Sequence, residues 1–403
     1  MNKKVSLGAA LAMAFIAAAA AVAITMSASV KMYNSIISDL PGKQQLYSSV
    51  SEIDDIVRRE YYGNIDNDLL DSEIFNGYVL GLNDKYSKYM TAPQYSEYKS
   101  RAKGKIAGIG LVCGWDSSKK QLKVLSSKKG SPAQIAGITK DAVIKKIDEV
   151  PVTSDNYEKL LKSFEGEMLA TVKISYEQKG KTNIVSVVKG YESQAVTNEI
   201  NGDTGIISIF DFYNNAALQL KSTLDELLSK GVTSLIIDLR STSEGDIETA
   251  AKMADYFVPL ATQNRGMMAR AVNKAGDTVE TFSSDTDEIN IPVVLLINNK
   301  TEGASEFFTV TLKSFGKAQT VGNKTHGKCT LQKVFELSNG GAVTLTTANI
   351  IPYSGESYEG KGLLPDYEVS LAQQHEPNTA IALKDDLQMQ KALSLLRDKN
   401  HNS

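Results

Sequence analysis

An almost unbroken apolar run from Val5 to Ala28 opens the chain; Lys3 and Lys4 precede it, and no charge follows before Lys31. At about 1.5 Å of rise per residue, such a run crosses the roughly 30 Å of hydrocarbon in a bilayer. Residues 1–30 are therefore expected to form a single uncleaved anchor, with the positive end cytoplasmic and the remaining chain outside. The alternative is a secretory signal removed near Ser27-Ala28-Ser29, which releases the protein. No later stretch approaches a membrane span. Across 31–103 the apolar positions Val50, Ile53, Ile56 and Val57, then Phe75, Tyr78, Val79 and Leu82, recur at helical spacing. They predict an amphipathic helical arm with no chemistry of its own.

From Gly104 the period changes. Short β-type runs over 107–113, 121–125, 142–147 and 170–176, separated by turn residues, predict a small β-rich domain at 104–190. Beyond residue 195, strands over 205–212, 234–239 and 291–297 alternate with helices over 217–230, 248–257 and 303–315. The last two strands are continuously apolar, as in a largely parallel sheet covered by helices. In such sheets the chemistry lies in loops beyond the carboxyl ends of strands, here 240–245 and 298–306. This α/β core is expected to span 191–375, with a helix-prone tail at 376–403.

Composition narrows the chemistry. The 403 residues are 42% hydrophobic and carry a net charge of -3, which suits a folded protein of two or three domains and offers no basic stripe for nucleic acid. His326, His375 and His401 are the only histidines, and Cys113 and Cys329 the only cysteines. They show no HExxH or CxxC spacing, so no metal site and no cofactor are expected. With His375 and His401 near the C-terminal end, a base for acid–base chemistry is expected to be something other than histidine. One disulfide between the two cysteines remains open.

Two glycine-marked motifs stand in the β-rich domain. Gly108-Ile109-Gly110-Leu111 is a turn entering a strand, and Ser131-Pro132-Ala133 through Ala136-Gly137 reads as a short helix opened by proline and closed by glycine. Together they resemble a PDZ domain. The resemblance implies that a peptide C-terminus adds as a strand beside Gly110 and Leu111, its carboxylate held by the backbone of Gly108, Ile109, Gly110 and Leu111. Farther on, Asp238-Leu239-Arg240, Gly303-Ala304-Ser305-Glu306, and Val321-Gly322 through His326-Gly327-Lys328-Cys329-Thr330-Leu331-Gln332 follow in order. The runs Leu345 through Asn349, Pro352 through Gly355 and Gly360 through Asp366 support them. With an anchor and a PDZ-like domain in front, this chain resembles the tail-specific, C-terminal processing serine peptidase family over nearly all of its length beyond residue 50. The fold so implied is a peptidase core of crotonase-like βαβ layers.

That family works with a serine and a lysine, which agrees with the scarcity of histidine. The resemblance assigns Lys328 as the general base, Gln332 as the residue that holds it, and the backbone at Ala304 and Gly245 as the oxyanion cradle. The chemistry needs a lysine neutral enough to take the serine proton. Anchoring on Ala304-Ser305-Glu306, and counting 25 positions back from Lys328, both place the nucleophile at residue 303, which is Gly303. A second departure is Glu244, an acidic residue where the family has glycine beside the oxyanion. Ser305 and Thr301 are the nearest substitute hydroxyls, but a two-residue offset on a helix turns Ser305 by roughly 200° away. Cys329 is expected to be a buried thiol and His326 a packed ring. Two readings compete: a membrane-anchored peptidase acting on extracytoplasmic protein C-termini, and an inactive pseudopeptidase that binds such C-termini. A crotonase-like thioester enzyme is a third, which leaves Lys328 and Gln332 without a role. The helical segments 31–103 and 378–398 are candidate homodimer contacts.

Overall fold

A computed structural model describes residues 40–128, 130–192, 194–213, 215–240, 242–243, 245–260, 266–285, 288–371 and 385–400, with scattered positions before residue 40. Most of the expected anchor lies outside the described residues, as do Ser241, Glu244, His375 and His401. Among the described residues no helix is long and apolar enough to cross a membrane. The chain divides into two compact units, Met1–Ile74 and Phe75–Ser403. The first holds helix α1 (Leu40–Glu60) and the start of α2 (Asn67–Leu80). There Arg58 reaches Asp54 at 2.8 Å and Asn67 at 3.0 Å, which joins the two helices.

The second unit begins with the short strand β1 (Lys88–Met90) and helix α3 (Ala92–Ala102), whose entry is set by Pro93 and by the Gln94 side chain accepting the Thr91 N–H at 2.8 Å. The β-rich segment then forms an antiparallel sheet of β2 (Leu111–Asp116), β3 (Gln121–Ser127), β4 (Val143–Ile147), β5 (Thr171–Gln178) and β6 (Lys181–Val188), in that order. Two short helices, α4 (Pro132–Ile135) and α5 (Tyr157–Leu161), complete it. The predicted helix after Gly130 is present and short. Ser131 caps it, accepting the Gln134 N–H, and Pro132 stands in its first turn. Leu122, Val124, Ile138, Ile144, Ile147 and Ile174 form this segment's own core.

The α/β core is built on β7 (Val196–Asn201), β8 (Thr204–Ile209), β9 (Ser234–Asp238), β12 (Val293–Ile297), β13 (Ala318–Gly322) and β16 (Tyr367–Glu368). They form one sheet in that order, with only β7 antiparallel. Strand periodicity explains why β9 and β12 are apolar throughout. Leu235, Ile237, Val293, Leu295 and Ile297 face one core, while Ile236, Val294 and Leu296 face another. The first core is closed by α6 (Ala216–Ser229), α7 (Ile247–Asp255) and α8 (Ala304–Ser314), with Phe212, Phe257, Phe307 and Phe308 at its centre. Beyond them lies an antiparallel sheet of β10 (Met267–Val272), β11 (Thr278–Ser283), β14 (Thr330–Glu336) and β15 (Ala342–Pro352), joined at its edge by β1. Neither β1 nor this second sheet follows from the strand runs read along the sequence. The pairing of β1 joins residues more than two hundred positions apart, such as Lys88 and Thr344.

The other face is covered by α9 (Leu387–Asn400), which buries Met389, Ala392, Leu393 and Leu396. The expected helical tail is thus seated on the core. Arg240 fixes its start, pairing with Asp238 at 2.6 Å and Asp386 at 2.9 Å, while Asp386 also accepts the Met389 N–H. Although burial works against the charge, these two carboxylates raise the pKa of Arg240 and keep it protonated. Leu396 is 1% exposed. Leu396→Ala should therefore cost about 2–5 kcal/mol, read as a lower urea midpoint with an unchanged slope; a shift near zero would show that α9 does not belong to the cooperative unit.

Candidate active site

The loops that follow β9, β12 and β13 converge at the carboxyl ends of these strands. After β12 the chain turns at Gly303, with φ +62 and ψ -107, directly into α8. Five residues separate the end of β12 at Ile297 from this turn, and the positive φ puts residue 303 on a strained elbow at the start of the helix. A Cβ placed on Gly303 would have Lys328 as its nearest neighbour, with Cδ at 3.4 Å and Nζ at 3.9 Å. A hydroxyl one bond farther out falls within hydrogen-bonding reach of Nζ. The fold thus aims position 303 at Lys328, although the residue there has no side chain.

Glu306 accounts for this alignment. It is fully buried in the first turn of α8, and its carboxylate accepts the Gly303 N–H at 3.0 Å, the Gly327 N–H at 2.6 Å, the Lys328 N–H at 2.8 Å and the Thr325 hydroxyl. The Gly303 bond is half of a capping box. The other three hold the loop that carries Lys328. Burial pushes the Glu306 carboxyl up, and the four converging donors oppose that. The sequence motif contained Glu306 only as an anchor for counting; its role as the clamp of the site was missed. An acidic residue at the third helical position is the signal that could have revealed the cap.

Lys328 is half-buried, and desolvation lowers its pKa below that of an ordinary lysine. Its nearest carboxylate is Glu302 at 4.0 Å. Gln332 does not hold the lysine as expected. Its amide donates to Thr330 Oγ1 at 2.9 Å and Thr346 Oγ1 at 3.3 Å, both hydroxyls of the antiparallel sheet. Even so, Lys328, Gln332, Gly303, Ala304 and Gly245 line one cavity of about 230 Å³. Ala304 lies at the amino end of α8, where backbone N–H groups lack intrahelical partners. Gly245 has φ +130, and a Cβ there would strike Phe212 at 2.4 Å, so the close approach of the two segments requires glycine.

The substitute nucleophiles are placed elsewhere. Ser305 is fully buried; its hydroxyl donates to the Thr242 carbonyl at 2.6 Å and accepts the Glu302 N–H at 2.9 Å. Thr301 is buried too, and donates to the Leu239 carbonyl at 2.9 Å. Cys329 donates to the Ile350 carbonyl at 3.2 Å, and burial pushes its thiol up. Cys113 is pushed up to about 12 by burial. Both thiols are free. His326 is partly exposed, with Nδ1 3.8 Å from Glu302.

The second candidate region lies beside β2. The Gly110 φ is +75, and a Cβ there would meet Ser131 at 2.3 Å, so only glycine lets the turn pack on α4. The Ile109 N–H is already donated to the Phe164 carbonyl at 3.1 Å, and the carbonyls of Gly108, Ile109 and Gly110 accept from Gly190, Ala133 and Lys128. Leu111 is opposite Ser127, and the flanking Lys128 N–H to Gly110 carbonyl bond makes theirs a non-hydrogen-bonded pair. The Leu111 N–H therefore points off the open edge of β2. A cavity of about 680 Å³ lies there, reaching from Leu111, Leu161 and Phe164 to Phe210 and Ser243 of the core. Ser243 also lines the Lys328 cavity.

The site is thus a βαβ core whose elbow at Gly303 faces a half-buried lysine across one cavity. Residues 203–369 match the profile of Peptidase family S41, in agreement with the resemblance carried by the motifs. The chain is 27% identical over 318 residues to a probable CtpA-like serine protease of Staphylococcus epidermidis, covering 78% of this chain and 63% of that protein. A probable CtpA-like serine protease of Staphylococcus aureus is also 27% identical, over 331 residues covering 81% and 65%. The chain therefore spans somewhat less than two thirds of the length of these relatives. Among solved structures, a putative S41 protease from Bacteroides fragilis superposes with a TM-score of 0.56 at 15% identity, over 80% of this chain and 90% of that one, which shows the shared fold.

Glu306→Ala removes the acceptor for three backbone donors. At about 1–3 kcal/mol for each buried group left unmet, it should destabilise the chain by at least ~3 kcal/mol in a denaturant titration. A loss under about 1 kcal/mol would mean that the clamp is dispensable.

Proposed function

We propose that this protein is a membrane-anchored, peptidase-family reader of protein C-termini that binds without cutting. The observation that carries this reading is the site at Gly303: its nearest side chain is the expected base, and it has no nucleophilic atom. Ser305 and Thr301, the hydroxyls closest in sequence, are buried and donate to backbone carbonyls. Removing the nucleophile from such an arrangement leaves only weak residual catalysis. Binding through a PDZ-like domain is supported by the open edge of β2 and the outward N–H of Leu111, which suit a peptide added as a strand. Since the Ile109 N–H is taken internally, the carboxylate would rest on Gly110 and Leu111. The apolar run from Val5 to Ala28 supports the anchor.

The full chain in detergent is expected to leave an unstructured protein intact and to ignore a serine-directed phosphonate. Gly303→Ser should gain both activities. Because its lysine must be neutral to take the proton, and burial lowers the Lys328 pKa, the variant's rate should rise with pH and level off at a midpoint below the ordinary lysine value of about 10.4. It should also lose about 1–3 kcal/mol of stability, because φ +62 is strained for serine. Cleavage by the native chain would sink the non-cutting reading.

The same full chain should bind a peptide with a free C-terminus and lose that binding when the terminus is amidated. Equal affinity for both forms would refute carboxylate recognition.

A further inference from the structure

The arm ahead of β1, in which the sequence suggested no chemistry, brings a side chain to the base. The ring of Tyr86 faces Lys328, with Nζ 4.7 Å from the ring centroid. Its loop is held firmly. Asp84 accepts the Tyr86 N–H at 3.1 Å and the Ser87 hydroxyl, while Ser87 Oγ accepts the Thr346 N–H of β15 at 3.2 Å. The chain then runs on as β1, paired with β15 through Lys88–Thr344 and Met90–Ala342. Strand β15 is also the partner of β14, the strand that begins two residues after Lys328. Tyr86 and Lys328 are thus fixed to the same sheet from two directions, and Gln332, the expected holder, has turned to Thr330 and Thr346.

We propose that Tyr86 is the positioning residue for Lys328, its ring face holding the amine toward position 303 in place of Gln332. This rests on the reading of Lys328 as the base of the site. A cation over a ring face within about 6 Å is attracted by the ring quadrupole, more strongly where water is excluded. The other charges around Lys328 are Glu302, Glu306 and Glu359, which favour its ammonium form, and Lys88, which opposes it. Lys85 lies over the same Tyr86 ring at 4.6 Å. The ring therefore offsets part of the burial that favours the neutral amine.

The test reads the lysine directly, in the native full chain and without reliance on peptidase activity. Trace acetylation with acetic anhydride across a pH series, with the Lys328 peptide quantified by mass spectrometry, gives the midpoint of its amine. Tyr86→Phe, which keeps the ring, should hold that midpoint. Tyr86→Leu should lower it by about half a pH unit, the size of one exposed to partly buried cation–π contact. In the Gly303→Ser background, Tyr86→Leu should lower kcat and leave KM unchanged. An unmoved midpoint in Tyr86→Leu overturns the proposal, and so does a Tyr86→Phe midpoint that falls to the same degree. Should Tyr86→Leu fail to fold by near-ultraviolet circular dichroism, Tyr86→Trp decides, since its stronger face must hold or raise the midpoint and a lowered one overturns the proposal. If Gly303→Ser stays inactive while the Tyr86→Leu shift appears, the peptidase reading fails and the positioning role of Tyr86 stands.

Discussion

Glu306 is a buried carboxylate that gathers donors from both sides of the site, the elbow at Gly303 and the loop at Thr325, Gly327 and Lys328. Charge-assisted bonds of this kind are about twice as strong as neutral ones and carry strict geometry. Their effect is to register α8 against the segment between β13 and β14, two pieces of chain that share no strand pairing. The first core adjoins that registration. Phe307 and Phe308, the next residues on α8, are fully buried among the helices, and β13 lies parallel to β12 on the sheet below. The site and the packing of the core are therefore set by the same short stretch of chain.

A glycine at the elbow fits this frame. The backbone at residue 303 has a positive φ that costs an ordinary residue energy and costs glycine little. Beside that elbow Lys328, Ala304 and Gly245 line the same cavity. The hydroxyls that remain nearby, on Ser305 and Thr301, hold backbone carbonyls of the neighbouring loop. They are part of the scaffold that shapes the site.

Much of this architecture is legible along the chain. The continuous apolar runs of β9 and β12 announced strands buried on both faces, and each inner residue indeed alternates between two cores. Motif spacing singled out Lys328 and Gly303, and the fold sets them side by side, with a Cβ at 303 lying 3.9 Å from the lysine Nζ. The antiparallel sheet was harder to read, because β10, β11, β14 and β15 pair across long separations and carry mixed polar and apolar residues. The turning of Gln332 toward Thr330 and Thr346 depends on a partner strand that local pattern does not specify.

What the sequence by itself determined was the order of parts and the chemical inventory: a lysine without a serine, few histidines, and strands whose periodicity demands burial on both faces. Those properties are local, set by residue type and spacing. Tertiary structure decided which side chains meet. Glu306 became the clamp, Tyr86 came from far upstream to face Lys328, and the final helix covered the second face of the sheet. Each of these contacts closes a long loop of chain, so its energy is realised only when the separate elements have already packed.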